Sequence, residues 1–285
     1  MARISYVNGN YIPHYAASVH IEDRGYQFSD GVYEVIAVHK RQLIDFEGHL
    51  SRLKRSLKEL EMPWPVTSNT LTIIIHQIIR RNRIRDGIVY LQITRGVAPR
   101  EHTFPNHCKS ALVVTARQSS PFRFDGSNEG VHVITTPEIR WQRRDIKTVS
   151  LLGNCLAKEK ARRAGCYEAW FIEDDGMITE GTTSNAWIVN DKDELVTRNV
   201  SNTILNGITR LSIIKVAQKS NIKLCERAFS LEETQSAKEA FITSTTSFVK
   251  PVLKINEKFV GDGKVGLLTA KLLSLYGNYI KAQIA

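Results

Sequence analysis

Apolar and polar side chains alternate with a period of two through residues 1–45, interrupted by tight-turn signals, and this pattern rules out an all-helical chain. Asn8-Gly9 stands between Ile4-Ser5-Tyr6-Val7 and Tyr11-Ile12, and both residues of the pair tolerate the positive φ that a two-residue hairpin turn demands. Residues 31–38 and 42–45 read as two further strands joined by the polar turn His39-Lys40-Arg41. The period then lengthens. His49, Leu50, Leu53, Leu57 and Leu60 share one helical face, a second helix covers 68–81 and stops before Asp86-Gly87, and strands follow at 88–94 and 111–115.

Residues 118–127 are rich in turn formers and lack apolar periodicity, so they predict a linker between an N-terminal domain over 1–117 and a larger C-terminal domain over 128–285. The second part mixes strands at 131–135, 168–173, 185–189 and 240–243 with helices at 151–164, 209–220 and 265–280. Asp174-Asp175-Gly176 reads as a hairpin turn, and Ser230-Leu231-Glu232-Glu233 as a capping box heading a short helix. Hairpins interspersed with helices, without regular βαβ alternation, argue for an α+β fold in two domains rather than a doubly wound one.

Composition narrows the class. A 285-residue chain with 42% hydrophobic residues can fill a sizeable core. Its longest apolar runs fall far short of the roughly 20 residues of a membrane-spanning helix, so no membrane partner is expected. The four cysteines, Cys108, Cys155, Cys166 and Cys225, show neither paired nor metal-ligand spacing, and the N-terminus lacks a signal-peptide apolar stretch; a reducing cytoplasm with free thiols and no metal fits. The net charge of +10 raises the question of nucleic acid. Its basic clusters, at 80–85, 140–144 and 158–163, accompany no nucleic-acid-binding signature and read as solvated faces, so none is expected.

Chemistry at an element end is the next thing to seek. Lys147, in Asp145-Ile146-Lys147-Thr148, lies after a strand and before a helix, where one amine can project into an interdomain cleft; taken alone it reads as one more surface lysine. Context comes from several strings in order: Asp23-Arg24-Gly25-Tyr26-Gln27-Phe28-Ser29-Asp30-Gly31-Val32-Tyr33-Glu34, His49-Leu50-Ser51-Arg52-Leu53, Thr94-Arg95-Gly96, Pro99-Arg100-Glu101-His102, Asp145-Ile146-Lys147, Glu180-Gly181-Thr182-Thr183-Ser184-Asn185, Asn206-Gly207-Ile208-Thr209-Arg210 and Thr243-Ser244-Thr245-Thr246. With these strings nearly the whole chain resembles the fold type IV pyridoxal-phosphate enzymes, the branched-chain-aminotransferase-like family, and within them the D-amino-acid transaminases.

The resemblance implies a two-domain α+β fold with pyridoxal 5'-phosphate in the interdomain cleft, and transfer of the amino group of D-amino acids such as D-alanine to 2-oxo acids such as 2-oxoglutarate. Lys147 matches the Schiff-base lysine, which also carries the substrate's α-proton. An amine working near neutral pH needs its basicity lowered, and Arg143 and Arg144 are candidates for that. Glu180 matches the carboxylate that pairs with the pyridine nitrogen, and the small hydroxyl-rich run after it suits close approach to a polar cofactor. For the phosphate, the family pattern points to Arg52, to the backbone amides of Ile208 and Thr209 at a helix N-terminus, and to Ser244 and Thr245. Leu205 matches an apolar residue backing the cofactor ring, and His49 is either a partner of Arg52 or a helix-start histidine. Tyr33, Arg100 and His102 match the trio that holds the substrate carboxylate, with Thr246 beside it. In the family the arginine and histidine reach into the neighbouring subunit's site, which implies a homodimer with composite active sites.

Three positions depart from the family pattern: Asn206 where proline is common, Ser150 where asparagine is frequent, and Phe248 where glutamate often follows the threonine pair. None removes a reacting group. The alternatives are another fold type IV enzyme, whether a branched-chain L-amino-acid transaminase, an (R)-amine transaminase or an aminodeoxychorismate lyase, and a non-catalytic basic binding protein on the same fold.

Overall fold

The computed structural model describes residues 3–124 and 129–284, and the chain divides into two compact units. The first holds residues up to Phe122 together with Ile146–Ser150; the second holds Arg123–Asp145 and the rest from Leu151. Residues 125–128 of the expected linker lie outside the described residues.

In the first unit β1 (Ile4–Val7) and β2 (Asn10–Pro13) form the hairpin that Asn8-Gly9 predicts, with both turn residues at positive φ. The short helix α1 (Arg24–Phe28) precedes β3 (Gly31–His39) and β4 (Gln42–Leu43); helices α2 (Phe46–Glu59) and α3 (Ser68–Arg81) lead into β5 (Gly87–Thr94) and β6 (Ala111–Gln118). The six strands run β2-β1-β6-β5-β3-β4, every neighbouring pair antiparallel. Leu53 and Leu57 of α2 and Leu71, Ile74, Ile75, Ile78 and Ile79 of α3 join Val32, Ile36, Val89, Leu91 and Val114 in one core. Each such side chain contributes about 1.5–3 kcal/mol on burial. Helix α3 starts at Ser68 because the Thr67 hydroxyl caps it, accepting from the Thr70 amide at 3.2 Å.

The segment Ile146–Ser150 joins this unit by backbone pairing with β3, whereas the sequence assigned all of 128–285 to the second domain. The Tyr33 amide donates to the Lys147 carbonyl and the Val149 amide to the Gly31 carbonyl, both at 3.1 Å, and Ile146 enters the core. Local periodicity could not report this, since the partners are more than a hundred residues apart.

The second unit contains β7 (Val131–Pro137), α4 (Leu152–Arg163), β8 (Glu168–Ile172), β9 (Ile178–Gly181), β10 (Asn185–Val189), β11 (Leu195–Thr197), α5 (Ile208–Lys219), β12 (Leu224–Glu226), α6 (Leu231–Ser236), β13 (Glu239–Ser244), β14 (Phe248–Ile255), β15 (Lys258–Phe259) and α7 (Leu267–Ile284). Its sheet runs β12-β11-β10-β13-β14-β7-β8-β9, with β15 on β14. The pairs β7/β8, β11/β12 and β14/β7 are parallel; α4 and α5 carry the chain between the first two, as a parallel crossover requires. Strand β14 escapes sequence reading because Pro251 interrupts it. It is nonetheless central: Pro251 opposes Phe241 of β13, and pairing with β7 begins only at Val252. Ser230 caps α6 by accepting from the Glu233 amide, but the Glu233 carboxylate turns to Arg227, leaving the capping box half made. Among the described residues no helix is long and apolar enough to cross a membrane.

Candidate active site

The candidate residues are divided between the two units. In the first, β3 alternation sends Glu34 and Tyr33 to opposite faces. Glu34 is 1% exposed and meets α2, where Arg52 gives it Nε at 2.8 Å and Nη2 at 2.7 Å while His49 Nδ1 lies 2.7 Å away. His49 and Arg52 are one helical turn apart, so both reach the same carboxylate. Burial by itself pushes the Glu34 carboxyl up; Arg52 and His49 overcome that and hold it at about 2. Burial pulls the His49 imidazole below its usual range despite Glu34. His49 is therefore neutral, and against an ionised Glu34 its Nδ1 carries the hydrogen. His49 and Arg52 thus share the carboxylate of Glu34, a member of this cluster that sequence reading passed over.

On the other face of β3 the Lys147 Nζ lies 4.3 Å from the centre of the Tyr33 ring, which stacks on Tyr90 at 5.7 Å. Burial, then the neighbouring Tyr33, pushes the Tyr90 hydroxyl up to about 12, so it stays protonated and donates to the Gln92 side chain at 2.6 Å. An ammonium over an aromatic face gains about 0.5–2 kcal/mol, which orients Lys147 without consuming its N–H bonds. Arg100 and His102 are exposed on the loop after β5 and gather around Phe28, the guanidinium 4.7 Å and the imidazole 5.4 Å from that ring.

In the second unit Glu180 ends β9 with 4% exposure. One carboxylate oxygen accepts from Arg140 Nη1 at 2.7 Å; the other accepts from Asn185 Nδ2 and the Leu205 amide, both at 3.1 Å. A carboxylate offers about four acceptor positions, so this arrangement leaves capacity for one further N–H. Burial pushes the Glu180 carboxyl up, opposed by Arg140 and the Leu205 amide. Leu205 thus enters through its backbone, whose carbonyl also accepts from Asn185 at 2.8 Å.

Asn185 ties the group together. Its Oδ1 would sit 2.0 Å from a Cβ built on Gly207, so only glycine fits there. Gly207 is the N-cap of α5, and no side chain caps that helix. Ile208 and Thr209, both buried in its first turn, carry amides without partners inside the helix. Such an N-terminus favours an anion such as a phosphate. Across the sheet Asn185 pairs with Thr243, which brings the half-buried Ser244 and Thr245 and the exposed Thr246 to the same end. The Ser244 hydroxyl already accepts from the Ser247 amide at 3.1 Å and faces the Thr246 hydroxyl at 3.5 Å.

Two runs of the sequence find partners here. The hydroxyls after Glu180 donate to a protein carboxylate: Glu168, fully buried, accepts from Thr182 Oγ1 at 3.0 Å, from the Thr183 amide and hydroxyl at 3.2 Å, and from the Ser184 hydroxyl. The basic run at 140–144 is not a solvated face. Arg140 binds Glu138 and Glu180; Arg144 binds Glu138 and Glu173 at 3.2 Å; Arg198 binds Glu173 at 2.6 Å, making an alternating chain of charges that ends on Glu180. Arg143 pairs with Asp145. The charges of Arg143 and Arg144 are matched by carboxylates. Arg140 was missed because its partners lie two and forty residues away. Phe248, for its part, is buried against Phe124 and Tyr276.

Comparison with known proteins supplies the family and the fold. A family model described as amino-transferase class IV matches residues 31–255. The chain is 37% identical over 279 residues to a D-alanine aminotransferase of Staphylococcus haemolyticus, covering 98% of both chains, and 40% identical over 268 residues to one of Listeria monocytogenes, covering 93% of this chain and 92% of that one. Its fold matches the branched-chain amino acid aminotransferase of Escherichia coli with a TM-score of 0.90 at 22% identity, over 98% of this chain and 95% of that one. The branched-chain amino acid aminotransferase of Thermobaculum terrenum, solved in its PLP-form, gives a TM-score of 0.86 at 22% identity, over 99% of this chain and 95% of that one. The α+β architecture is that of fold type IV, and the chain belongs to the amino-transferase class IV family.

Proposed function

We propose that this chain is a pyridoxal-phosphate-dependent transaminase that moves the amino group of D-amino acids, D-alanine among them, to 2-oxo acids such as 2-oxoglutarate. The observation that carries the reading is Lys147 held over Tyr33 in a chain so similar to enzymes named D-alanine aminotransferase. The residues present fit the cofactor. On the second unit the uncapped start of α5, with Ile208 and Thr209, would take its phosphate together with Ser244 and Thr245, with Leu205 at its ring and the remaining acceptor position of Glu180 for its ring nitrogen; on the first unit Arg52 is the phosphate candidate.

When bound, pyridoxal phosphate supplies an electron sink for the bond broken at the substrate's α-carbon. Glu180 as an anion would hold a proton on the ring nitrogen. Lys147 Nζ would hold the cofactor covalently and would move the substrate's α-proton. Tyr33, Arg100 and His102 hold the substrate carboxylate, Thr246 being the substrate-binding candidate of the second unit, and so decide which hydrogen of the α-carbon faces Lys147. Their exposed loop also carries Val97 and Phe104, 45% and 54% exposed. Apolar side chains displayed beside site residues support a homodimer in which this loop serves the neighbouring subunit. The four cysteines are free thiols, a state a reducing compartment preserves, and we place the enzyme in the cytoplasm.

Borohydride reduction of the holoenzyme followed by peptide mass spectrometry should find the cofactor on Lys147. Assays of D- and L-alanine, glutamate and leucine and a chiral amine, with 2-oxoglutarate and pyruvate as acceptors, should show preference for D-amino acids. An adduct on another lysine, or preference for an L-amino acid or an amine, would refute the assignment.

A further inference from the structure

The string from Asp23 to Asp30 supplies none of the groups assigned above, yet its side chains converge on the loop that bears Arg100 and His102. Arg24 is 3% exposed; its Nη1 donates to the Glu101 carbonyl at 2.6 Å and its Nη2 reaches the His102 carbonyl at 3.5 Å. Its Nε is fixed by Asp30 at 2.8 Å, and Asp30 is itself held by Arg95 Nε at 2.7 Å. Arg95 is anchored in turn on the Leu60 carbonyl at 2.8 Å. The backbone closes the same cradle, with Arg24 N donating to Gly96 O at 2.9 Å and Ala98 N to Glu22 O at 3.4 Å. Between them stands the Phe28 ring, with Arg24 at 4.8 Å, Arg100 at 4.7 Å and His102 at 5.4 Å.

We infer that Arg24 is a positioning residue for substrate recognition: held by Asp30, it grips the carbonyls of Glu101 and His102 and seats Arg100 on Phe28, thereby setting the aim of the carboxylate-binding side chains. A buried guanidinium that donates to main-chain carbonyls of an otherwise exposed loop restricts that loop far more than its surface contacts do. Arg24 itself is buried, 3% exposed. Its influence passes through Arg100 and His102, so the inference rests on the reading that these two hold the carboxylate.

The test compares D-alanine with D-alaninamide, which lacks the carboxylate charge, as donors for the holoenzyme. In Arg24→Met the ratio of kcat/KM values, D-alanine over D-alaninamide, should fall about tenfold, through KM, the scale of one charge-assisted hydrogen bond. The Kd of pyridoxal phosphate, titrated by absorbance, should stay at the wild-type value. Arg24→Lys, which keeps a charge against Asp30 but loses the forked donors, should show a smaller fall of the same kind and decides the matter if the methionine variant does not fold. Equal loss for both donors, or a weakened Kd with an unchanged ratio, would overturn the inference by making Arg24 a purely structural residue. Arg100→Ala separates the two levels. If it raises the KM of D-alanine and the Arg24 variants do not, only the positioning role is lost; if it too leaves KM unchanged, the carboxylate reading fails and the inference with it.

Discussion

Replacing Arg140 by methionine, of similar length and no charge, should expose how much the buried charge chain contributes. The Arg140 side chain is 8% exposed, and the side chains of Glu138 and Glu180 that it joins are each 6% exposed. Glu138 keeps Arg144 at 3.2 Å after the change, but Glu180 keeps only the Asn185 and Leu205 N–H groups. Removing one partner of a buried pair costs about 3–5 kcal/mol, chiefly because the other charge stays behind. The loss should depend on pH. In the wild type Arg140 helps hold Glu138 below its usual range against burial, so that contribution is present at neutral pH and fades as the pH falls through the carboxylate range. In the variant Glu180, already raised by burial, rises further, and a raised carboxyl costs stability as the pH climbs from the ordinary carboxylate range to the raised value, the cost being complete above it. The deficit should therefore be larger at pH 8 than at pH 5, changing by up to about 1.4 kcal/mol per pH unit within that window. Urea unfolding followed by tryptophan fluorescence suits the measurement, since Trp170 and Trp187 are fully buried in the second unit. A deficit under about 1 kcal/mol at pH 8, or one equal at both pH values, would refute the reasoning.

Lys147→Ala should still bind pyridoxal phosphate noncovalently through the phosphate donors but lose turnover by on the order of 10⁴, because proton transfer at the α-carbon has no amine; steady-state assays near the wild-type rate would contradict it. Glu180→Gln should keep the covalent link at Lys147 while kcat falls about 10- to 100-fold, the equivalent of one charge-assisted hydrogen bond; an unaltered kcat and cofactor absorbance would mean that Glu180 does not meet the ring nitrogen. Glu34 is held at about 2, so the wild type should lose stability between roughly pH 4.5 and pH 2 as this carboxylate protonates. Glu34→Gln should be less stable at pH 7 by about 3–5 kcal/mol, since Arg52 is left buried without its anion, and should lack that acid-dependent loss in circular-dichroism melts.

What the amino-acid order determined by itself is whatever depends on near neighbours. The β1–β2 hairpin follows from Asn8-Gly9, and α3 occupies the predicted 68–81 because a capping threonine and a stripe of isoleucines mark its bounds. The strings around Lys147, Glu180 and Gly207 were also readable, being short and contiguous. Tertiary structure alone decided which distant groups meet. It moved Ile146–Ser150 to the first unit through hydrogen bonds to β3, and it drew β14 into the middle of the second sheet despite Pro251. It turned the run at 140–144 from an expected solvated surface into a buried chain of ion pairs, and it committed the hydroxyls of Thr182, Thr183 and Ser184 to Glu168. The physical reason is the same in each case. Periodicity and turn chemistry act over a few residues, whereas a buried charge is tolerated only where the fold delivers its counter-charge, and for Arg140 and Glu180 that partner is forty positions away.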